Sequence, residues 1–369
     1  MNMTSEIFDI AVVGAGPAGS TFARFLALSK PEARIAIIDG QTRERSKVCG
    51  GLLSPDAQKV LASFDMTLPK EVLADPQIFA VETIDLPRRH VRYYQRNYLN
   101  MDRYAFDRWL LSLVPKSVSV ISGRCRSVER DEDGKFSLSV GEQTIKAHAI
   151  VGADGASSIV RKSFFDKPIK KYVAIQQYFK NDGQRVPFYS CIFDPATSDS
   201  CSWSIHKDGY IIFGGAFEQS HCRSAFEEQK ARFQELLGND LGAPLKTEAC
   251  LVCSPRHLRD LCIGKDGIYL IGEAAGFISS SSFEGISSAL LSGKLLADAF
   301  ACSDFHSAIL RRYKKNTLAL RLKLYGKTFK RSILCSPTLR YCIMKSGIMS
   351  VKKYEKKLKE PLPKASSDK

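Results

Sequence analysis

Apolar positions in this chain fall into short continuous runs that alternate with helically spaced ones, and that rhythm predicts most of its elements. Ile10, Val12 and Val13 form a short strand that runs straight into Gly14-Ala15-Gly16-Pro17-Ala18-Gly19. A helical pattern follows through Phe22, Phe25 and Leu26, then Pro31, then a second strand over residues 35–38 ending at Asp39. Ser54-Pro55 opens a helix over 56–64, with proline at a first-turn position. Residues 78–94 alternate like a strand through Val81, Thr83 and Asp85, and Asn100-Met101-Asp102 opens a helix carrying Arg103, Phe106, Asp107, Trp109 and Leu110. Strands are predicted at 118–121, 124–130, 136–140 and 144–150, with Asp133-Gly134 as a hairpin turn. Residues 172–217 are β-prone and rich in aromatics: Tyr178, Phe179, Phe188, Tyr189, Phe193, Trp203, Tyr210 and Phe213. An amphipathic helix over 226–237, an apolar strand over 268–271, a small-residue helix through Gly293 and a basic helical remainder complete the pattern.

The strand–glycine–helix–strand stretch from Asp9 to Asp39 is arranged as a dinucleotide site requires. Gly14 permits the tight turn, Gly16 lets the backbone approach a pyrophosphate, and Gly19 lets the helix pack on the strands. The helix start offers unpaired N–H groups and a positive dipole end to phosphate, and Asp39 lies where an acid would hold a ribose hydroxyl. A glycine turn that only packs is the competing reading, and this stretch alone does not say which dinucleotide.

A chain of 369 residues exceeds what one core comfortably serves, so two domains are expected. At 44% apolar and 25% charged, the composition is that of a soluble globular protein. The N-terminal apolar run is too short for a signal peptide and lacks a basic leader, and no stretch has the roughly 18 apolar residues of a spanning helix. Eleven scattered cysteines favour reduced thiols in the cytoplasm over a disulfide framework. Cys250-x-x-Cys253 has no second pair at zinc-site spacing and is expected to supply buried strand residues. The net charge of +15 is uneven: from Arg311 to the terminal Lys369 there are 18 Lys and Arg against 3 acids, so the rest of the chain is neutral. A basic catalytic body for binding nucleic acid is thereby excluded.

Two further strand-to-glycine turns follow the first: Val151-Gly152-Ala153-Asp154-Gly155, trailed by Ser157 and Arg161, and Gly272-Glu273-Ala274-Ala275-Gly276. With three such turns in this order, the chain from about Asp9 to Phe300 resembles the geranylgeranyl reductase family of FAD-dependent oxidoreductases, in the para-hydroxybenzoate-hydroxylase-like superfamily. Segments such as Val173-Ala174-Ile175-Gln176-Gln177 and Pro187-Phe188-Tyr189-Ser190 look closest to its CbrA subgroup. The resemblance implies an α/β fold: a Rossmann-like FAD-binding domain, an inserted mixed or antiparallel β-sheet substrate domain and a C-terminal helical segment. The implied boundaries are 1–77 with 101–165 and 251–302 for FAD, 78–100 with 166–250 for substrate, and 303–369 for the basic helices.

By the same resemblance, Gly14, Gly16, Ala18, Gly19 and Asp39 would hold the ADP part of FAD, and Cys49, Gly50 and Gly51 would lie beside the isoalloxazine. Arg103 would contact the cofactor from a helix start, Cys125 joins the cofactor set, and Asp154 and Gly155 would sit near the pyrophosphate. Glu273 replaces the aspartate that meets the ribityl chain, one methylene longer. Gly285 and Ile286 would present N–H groups to the flavin's pyrimidine end, although Ser279 to Ser282 alter the stretch before them.

Only one strand-linked G-x-G-x-x-G occurs, so NADPH or NADH is expected as a transient external donor. The expected activity is reduction or monooxygenation of an apolar, isoprenoid or lipid-like molecule; the alternative is a flavin-bound binding or regulatory protein with little turnover. Cys49 is the candidate catalytic thiol, balanced against a small residue filling a tight loop. His206 is expected at a strand end rather than in catalysis. Tyr189 and Trp203 are the preferred pocket aromatics, since alternation sends about half of that set elsewhere. The basic segment, with Leu318, Leu320, Leu322 and Leu324 among cations and a second cluster at 352–359, is expected either as a solvated helical face or as a peripheral contact with an anionic membrane; no nucleic acid is expected.

Overall fold

A computed structural model describes residues 7–42, 47–181, 189–238 and 240–352. Phe188, residues 43–46 of the polar loop and residues 353–359 of the second basic cluster lie outside the described residues.

Two sheets carry the fold. The first has five parallel strands in the spatial order Ile268–Leu270, Gln143–Gly152, Ile7–Val13, Ile35–Asp39 and Ser119–Ser122. Cys125–Arg130 and Phe136–Val140 extend it as an antiparallel flap on Gln143–Gly152. Its central strands are buried on both faces, which is why they read as continuous apolar runs: Ile35–Asp39 is buried at all five positions. Helices Pro17–Ser29 and Ile286–Ala301 lie together over it, and their small residues make that approach possible. A Cβ on Gly293 would come 3.1 Å from the Phe22 nitrogen, and one on Gly272 would come 2.9 Å from the Ala18 Cβ.

The second sheet runs in the order Lys246–Cys253, Lys171–Lys180, Tyr210–Phe217, Cys201–Lys207, Tyr189–Phe193, Ile78–Asp85, His90–Asn100 and Ser350–Val351. All its contacts are antiparallel except Tyr189–Phe193 against Ile78–Asp85. The strand read over 78–94 is therefore a hairpin, broken where Arg89 adopts a φ of 48°. Alternation divides the aromatics as period 2 demands. Phe179, Phe213 and Phe217 pack on Phe226 and Phe233 of helix Cys222–Leu237, with Phe213 stacked on Phe233 at 5.2 Å between centroids. Tyr178, Tyr189 and Trp203 face the opposite side, with Ile78 and Ile205.

The α/β class is thus as expected, with a Rossmann-like layer, a largely antiparallel sheet and C-terminal helices. Those helices are His306–Asn316, Leu318–Cys335 and Pro337–Ser346. They are joined to the body by buried guanidinium groups. Arg340 pairs with Asp85 at 3.2 Å, and Arg331 with Asp199 at 2.9 Å. No helix among the described residues is long and apolar enough to cross a membrane.

Glycine at 19 and at 16 does different work. A Cβ on Gly19 would collide with the Gly14 carbonyl oxygen, whereas one on Gly16 would meet nothing within 4 Å. Gly19→Ala should cost about 3 kcal/mol of unfolding free energy, the upper range for overpacking. Gly16→Ala should leave stability within about 0.5 kcal/mol of the parent. Urea titration of both variants checks this, and equal midpoints would contradict it.

Candidate functional site

The three glycine turns converge on one cavity of about 880 Å³ between the two sheets. That volume suits a large bound molecule rather than solvent alone. At one end lies the start of helix Pro17–Ser29, where Gly14, Gly16 and Ala18 line the wall. Gly14 needs its glycine: φ is 108°, and a Cβ there would press on the Ala153 carbonyl oxygen at 2.6 Å. Gly19 and Asp39 do not line the cavity, though Ile38 and Gly40 do. The Asp39 carboxylate is gripped by Arg108, with Oδ2 2.5 Å from Nη1 and Oδ1 3.2 Å from Nη2. The acid placed by sequence as a ribose ligand is thus already charge-neutralised, by a cation the linear pattern did not flag.

Asp154 and Gly155 come next, above the strand Gln143–Gly152. One Asp154 oxygen accepts the Ile159 N–H at 2.6 Å, while the other is buried without a partner. Burial raises the Asp154 pKa against the hydrogen bonds from Ser158 and the backbone that lower it. Cys125 lines the same stretch, and burial with the nearby Asp154 pushes its thiol up to about 11. Arg161 works differently from its motif neighbours. Its guanidinium is buried and ties the carbonyls of Ala274, Lys167 and Asp260 together. It is a structural clip behind the wall.

The middle of the cavity is polar. Glu273 Oε2 pairs with Lys47 at 2.8 Å, and Oε1 accepts the Cys253 N–H at 2.8 Å. Burial would lower the Lys47 pKa, but Glu273, with the Cys250 thiol, outweighs it, so the ammonium stays charged. Two of the roughly four acceptor positions of Glu273 are therefore taken. Cys250 is half-buried and lines the cavity, and Cys253 is buried, its thiol pushed up to about 12 by burial and Glu273. No cluster of metal-ligating groups occurs among the described residues, and all eleven cysteines are free.

Cys49, Gly50 and Gly51 line the cavity together with Trp203, Ile205 and Tyr189. Gly50 is tight here, since a Cβ would overlap the Ile205 side chain. Arg103 is held by Asp107 at 2.9 Å, and the Asp107 and Cys49 side chains outweigh its burial to keep it charged. Gly285 caps helix Ile286–Ala301, whose first turn opens on the cavity beside Glu284. Tyr98 donates to Glu284 Oε1 at 2.8 Å and lies edge-on to Tyr189 at 5.4 Å. Burial raises the pKa of both phenols, so they are neutral hydroxyls. Trp203 Nε1 is buried without a partner. His206 is buried within strand Cys201–Lys207, near its end.

Sequence reasoning assigned no role to Lys47, Tyr98, Glu284 or Lys207. Lys47 and Glu273 are 226 residues apart and Tyr98 and Glu284 186 apart, so no local spacing signals either pair. A glutamate between a bulky residue and the Gly285 cap was the one visible clue.

The parallel sheet, its glycine turns and the groove they line form a Rossmann-type architecture. A model of the lycopene cyclase protein family matches residues 9–229. The protein CbrA of Escherichia coli O6:H1 is 45% identical over 358 residues, spanning 94% of this chain and 95% of that one. The chain belongs to the lycopene cyclase protein family and groups with the CbrA proteins. Among solved structures, a geranylgeranyl bacteriochlorophyll reductase-like protein from Thermoplasma acidophilum superposes with a TM-score of 0.75 at 19% identity, covering 91% of this chain and 90% of that one. PqsL from Pseudomonas aeruginosa, described as a probable FAD-dependent monooxygenase, gives 0.68 at 16% identity, covering 93% and 99%. The resemblance to CbrA thus stands, and the fold is shared with the geranylgeranyl bacteriochlorophyll reductase-like protein.

The Lys207 ammonium donates to the Met101 carbonyl at 2.5 Å and the Gly51 carbonyl at 3.2 Å, and burial lowers its pKa to about 8. The unfolded chain binds this proton up to the ordinary lysine range near 10.5, so it holds more protons than the folded chain between about 8 and 10.5. This one group's contribution to stability should therefore rise with pH across that window. NMR titration of the labelled amine should give a midpoint near 8, and a midpoint above 10 would show the ammonium to be solvated.

Proposed function

We propose that this chain is an FAD-dependent oxidoreductase, a reductase or monooxygenase acting on an apolar, lipid-like substrate with NADPH or NADH as external donor. The observation that carries this reading is the convergence of three chain-distant glycine turns on one cavity whose lining includes both a phosphate-suited helix start and aromatic walls. The residues fit the group. Gly16 leaves open space where a side chain would block a pyrophosphate, and the free Asp154 oxygen and the Trp203 N–H are buried polar atoms in the cavity wall still lacking partners.

Gly14, Gly16 and Ala18 would hold the pyrophosphate through backbone N–H groups, with Asp154 and Gly155 near it. Glu273 retains acceptor capacity for the ribityl hydroxyls, and Gly285 and Ile286 would offer N–H groups to the ring. Cys49, Gly50, Gly51 and Arg103 would flank it. Bound FAD supplies the electron transfer; the protein orients it and excludes water. Tyr189, Trp203 and Ile205 give the open side an apolar surface for the substrate. Glu284 is a carboxyl there that would exchange a proton through Oε2, while Tyr98 positions it by donating its hydroxyl to Oε1. Cys49 remains the thiol closest in sequence to the tight glycine pair, with Gly51 N–H donating to its Sγ at 3.4 Å.

One observation favours the alternative, a flavin-bound protein with little turnover: both Glu273 oxygens are engaged by protein groups. Anaerobic mixing with NADPH and NADH, followed by oxygen, separates the two. Bleaching of the flavin bands and their return supports the oxidoreductase, and flavin that no donor reduces supports the binding protein. Protein that stays colourless after incubation with FAD would defeat both.

Glu284→Gln should lower turnover about 10²–10⁴-fold with flavin content unchanged, as expected for loss of a general acid. Tyr98→Phe should shift the pH profile of turnover while leaving flavin content intact. Parent-like rates and pH profiles in both variants would remove the pair from the mechanism.

A further inference from the structure

Helix Leu318–Cys335 has two apolar faces, and only one is used by the fold. Leu320, Leu324 and Arg331 point inward and are buried. On the opposite side, Leu318, Leu322, Tyr325 and Phe329 are 51, 54, 51 and 71% exposed. Their spacing of four, three and four residues places them in one stripe along the helix. Four large apolar side chains in a line on an outward face are a patch, not scattered surface residues. Of the sequence-noted leucines, Leu318 and Leu322 therefore belong to this face, and Leu320 and Leu324 to the core.

The surrounding charge identifies the occupant. Between Arg311 and Lys352 the chain has twelve Lys and Arg and no Asp or Glu. Arg311, Arg312, Lys314 and Lys315 are exposed just before the stripe, and Lys330 is exposed beside it. A second copy of this chain docked two-fold on the face would set cations against cations. Residues 353–369, with six further lysines against three acids, would meet the same repulsion. Nucleic acid would satisfy the charge but leave the leucines and Phe329 without an apolar partner.

We infer that the outer face of Leu318–Cys335 is an in-plane docking surface for an anionic lipid bilayer, with Leu318, Leu322, Tyr325 and Phe329 entering the acyl boundary and the lysines and arginines meeting headgroups. An apolar stripe flanked by basic residues on a helix too polar to span is the composition such helices have. The inward side of this helix touches the wall of the cavity's rim. Thr328 contacts Ser280 at 3.3 Å, and the adjoining Ser282 and Phe283 line the cavity. The bilayer surface and the rim are then separated by about one helix diameter, on the order of 10 Å. The inference stands on the surface alone and holds whatever chemistry the cavity performs.

The test is flotation of the full-length protein with vesicles of phosphatidylcholine alone, or with about three parts in ten phosphatidylglycerol. Binding should be confined to the anionic vesicles and weaken with salt. Lys314→Glu/Lys315→Glu should reduce partitioning by about fivefold or more for each cation removed. Leu322→Glu/Phe329→Glu should reduce it at least about tenfold. Leu28→Glu, at another exposed leucine outside this helix, should bind as the parent does. Circular dichroism melting must show each variant folded, which the exposure of all these positions favours. Equal recovery with neutral and anionic vesicles, or parent-like binding by Leu322→Glu/Phe329→Glu, would overturn the inference. So would a dimer, seen by sedimentation without vesicles, that the same double variant dissociates.

Discussion

The approach of two helices across glycine sets the position of almost everything else. Helix Pro17–Ser29 starts against the strand tips because Gly14 and Gly19 leave no side chain between turn and helix. Helix Ile286–Ala301 can then lie against it because Gly293 meets its backbone directly. That contact fixes the third glycine turn, whose Gly272 N–H is held by Ser292 Oγ at 2.9 Å, beside the first. Segments separated by some 250 residues become neighbours along one cavity wall through close approach at glycine. Dispersion at close range does this, and it works only while glycine keeps the crossing point free of bulk.

The polar interactions are laid on top of that frame and do a different kind of work. Lys47–Glu273, Arg103–Asp107 and Arg108–Asp39 each bring a cation to the cavity or its margin and neutralise it with an acid from nearby. A buried charge left alone is costly, so each pair settles which group stays ionised and where it points. The cavity is thus polar in the middle without a strong net charge there. Its far end is set by hydroxyls and rings instead, with Tyr98 linking a carboxylate to an aromatic wall.

Much of this architecture is legible in the residues, and the reasons are physical. Parallel strands buried on both faces announce themselves as apolar runs, as residues 35–38 do, and glycine turns announce themselves because only glycine tolerates what happens there. Asp102 and Ser54, each capping a helix start, are equally readable, since the cap is a local event. The hairpin at 86–89 is not, because alternation continues on both sides of the turn. The Arg108 grip on Asp39, the Lys47–Glu273 pair and the Tyr98–Glu284 hydrogen bond are invisible for another reason. Each joins residues whose separation in the chain carries no period. Likewise, a leucine-rich basic helix does not declare which leucines face inward; burial of Leu320 and Leu324 but not Leu318 and Leu322 is decided by what the helix packs on.

The ion pair at the centre of the cavity ties two positions into a single inheritable unit. Glu273 reaches both Lys47 and the Cys253 amide because it has the extra methylene, and an aspartate in its place would have to surrender one of them. Losing either partner alone would leave the other charge partly buried and unpaired. A descendant of this chain that shortens residue 273 therefore has little room to keep a lysine at 47, and one that loses the lysine has little reason to keep the glutamate. The two sites can drift only together, so the chemistry in the middle of this cavity is changed by paired steps or left as it is.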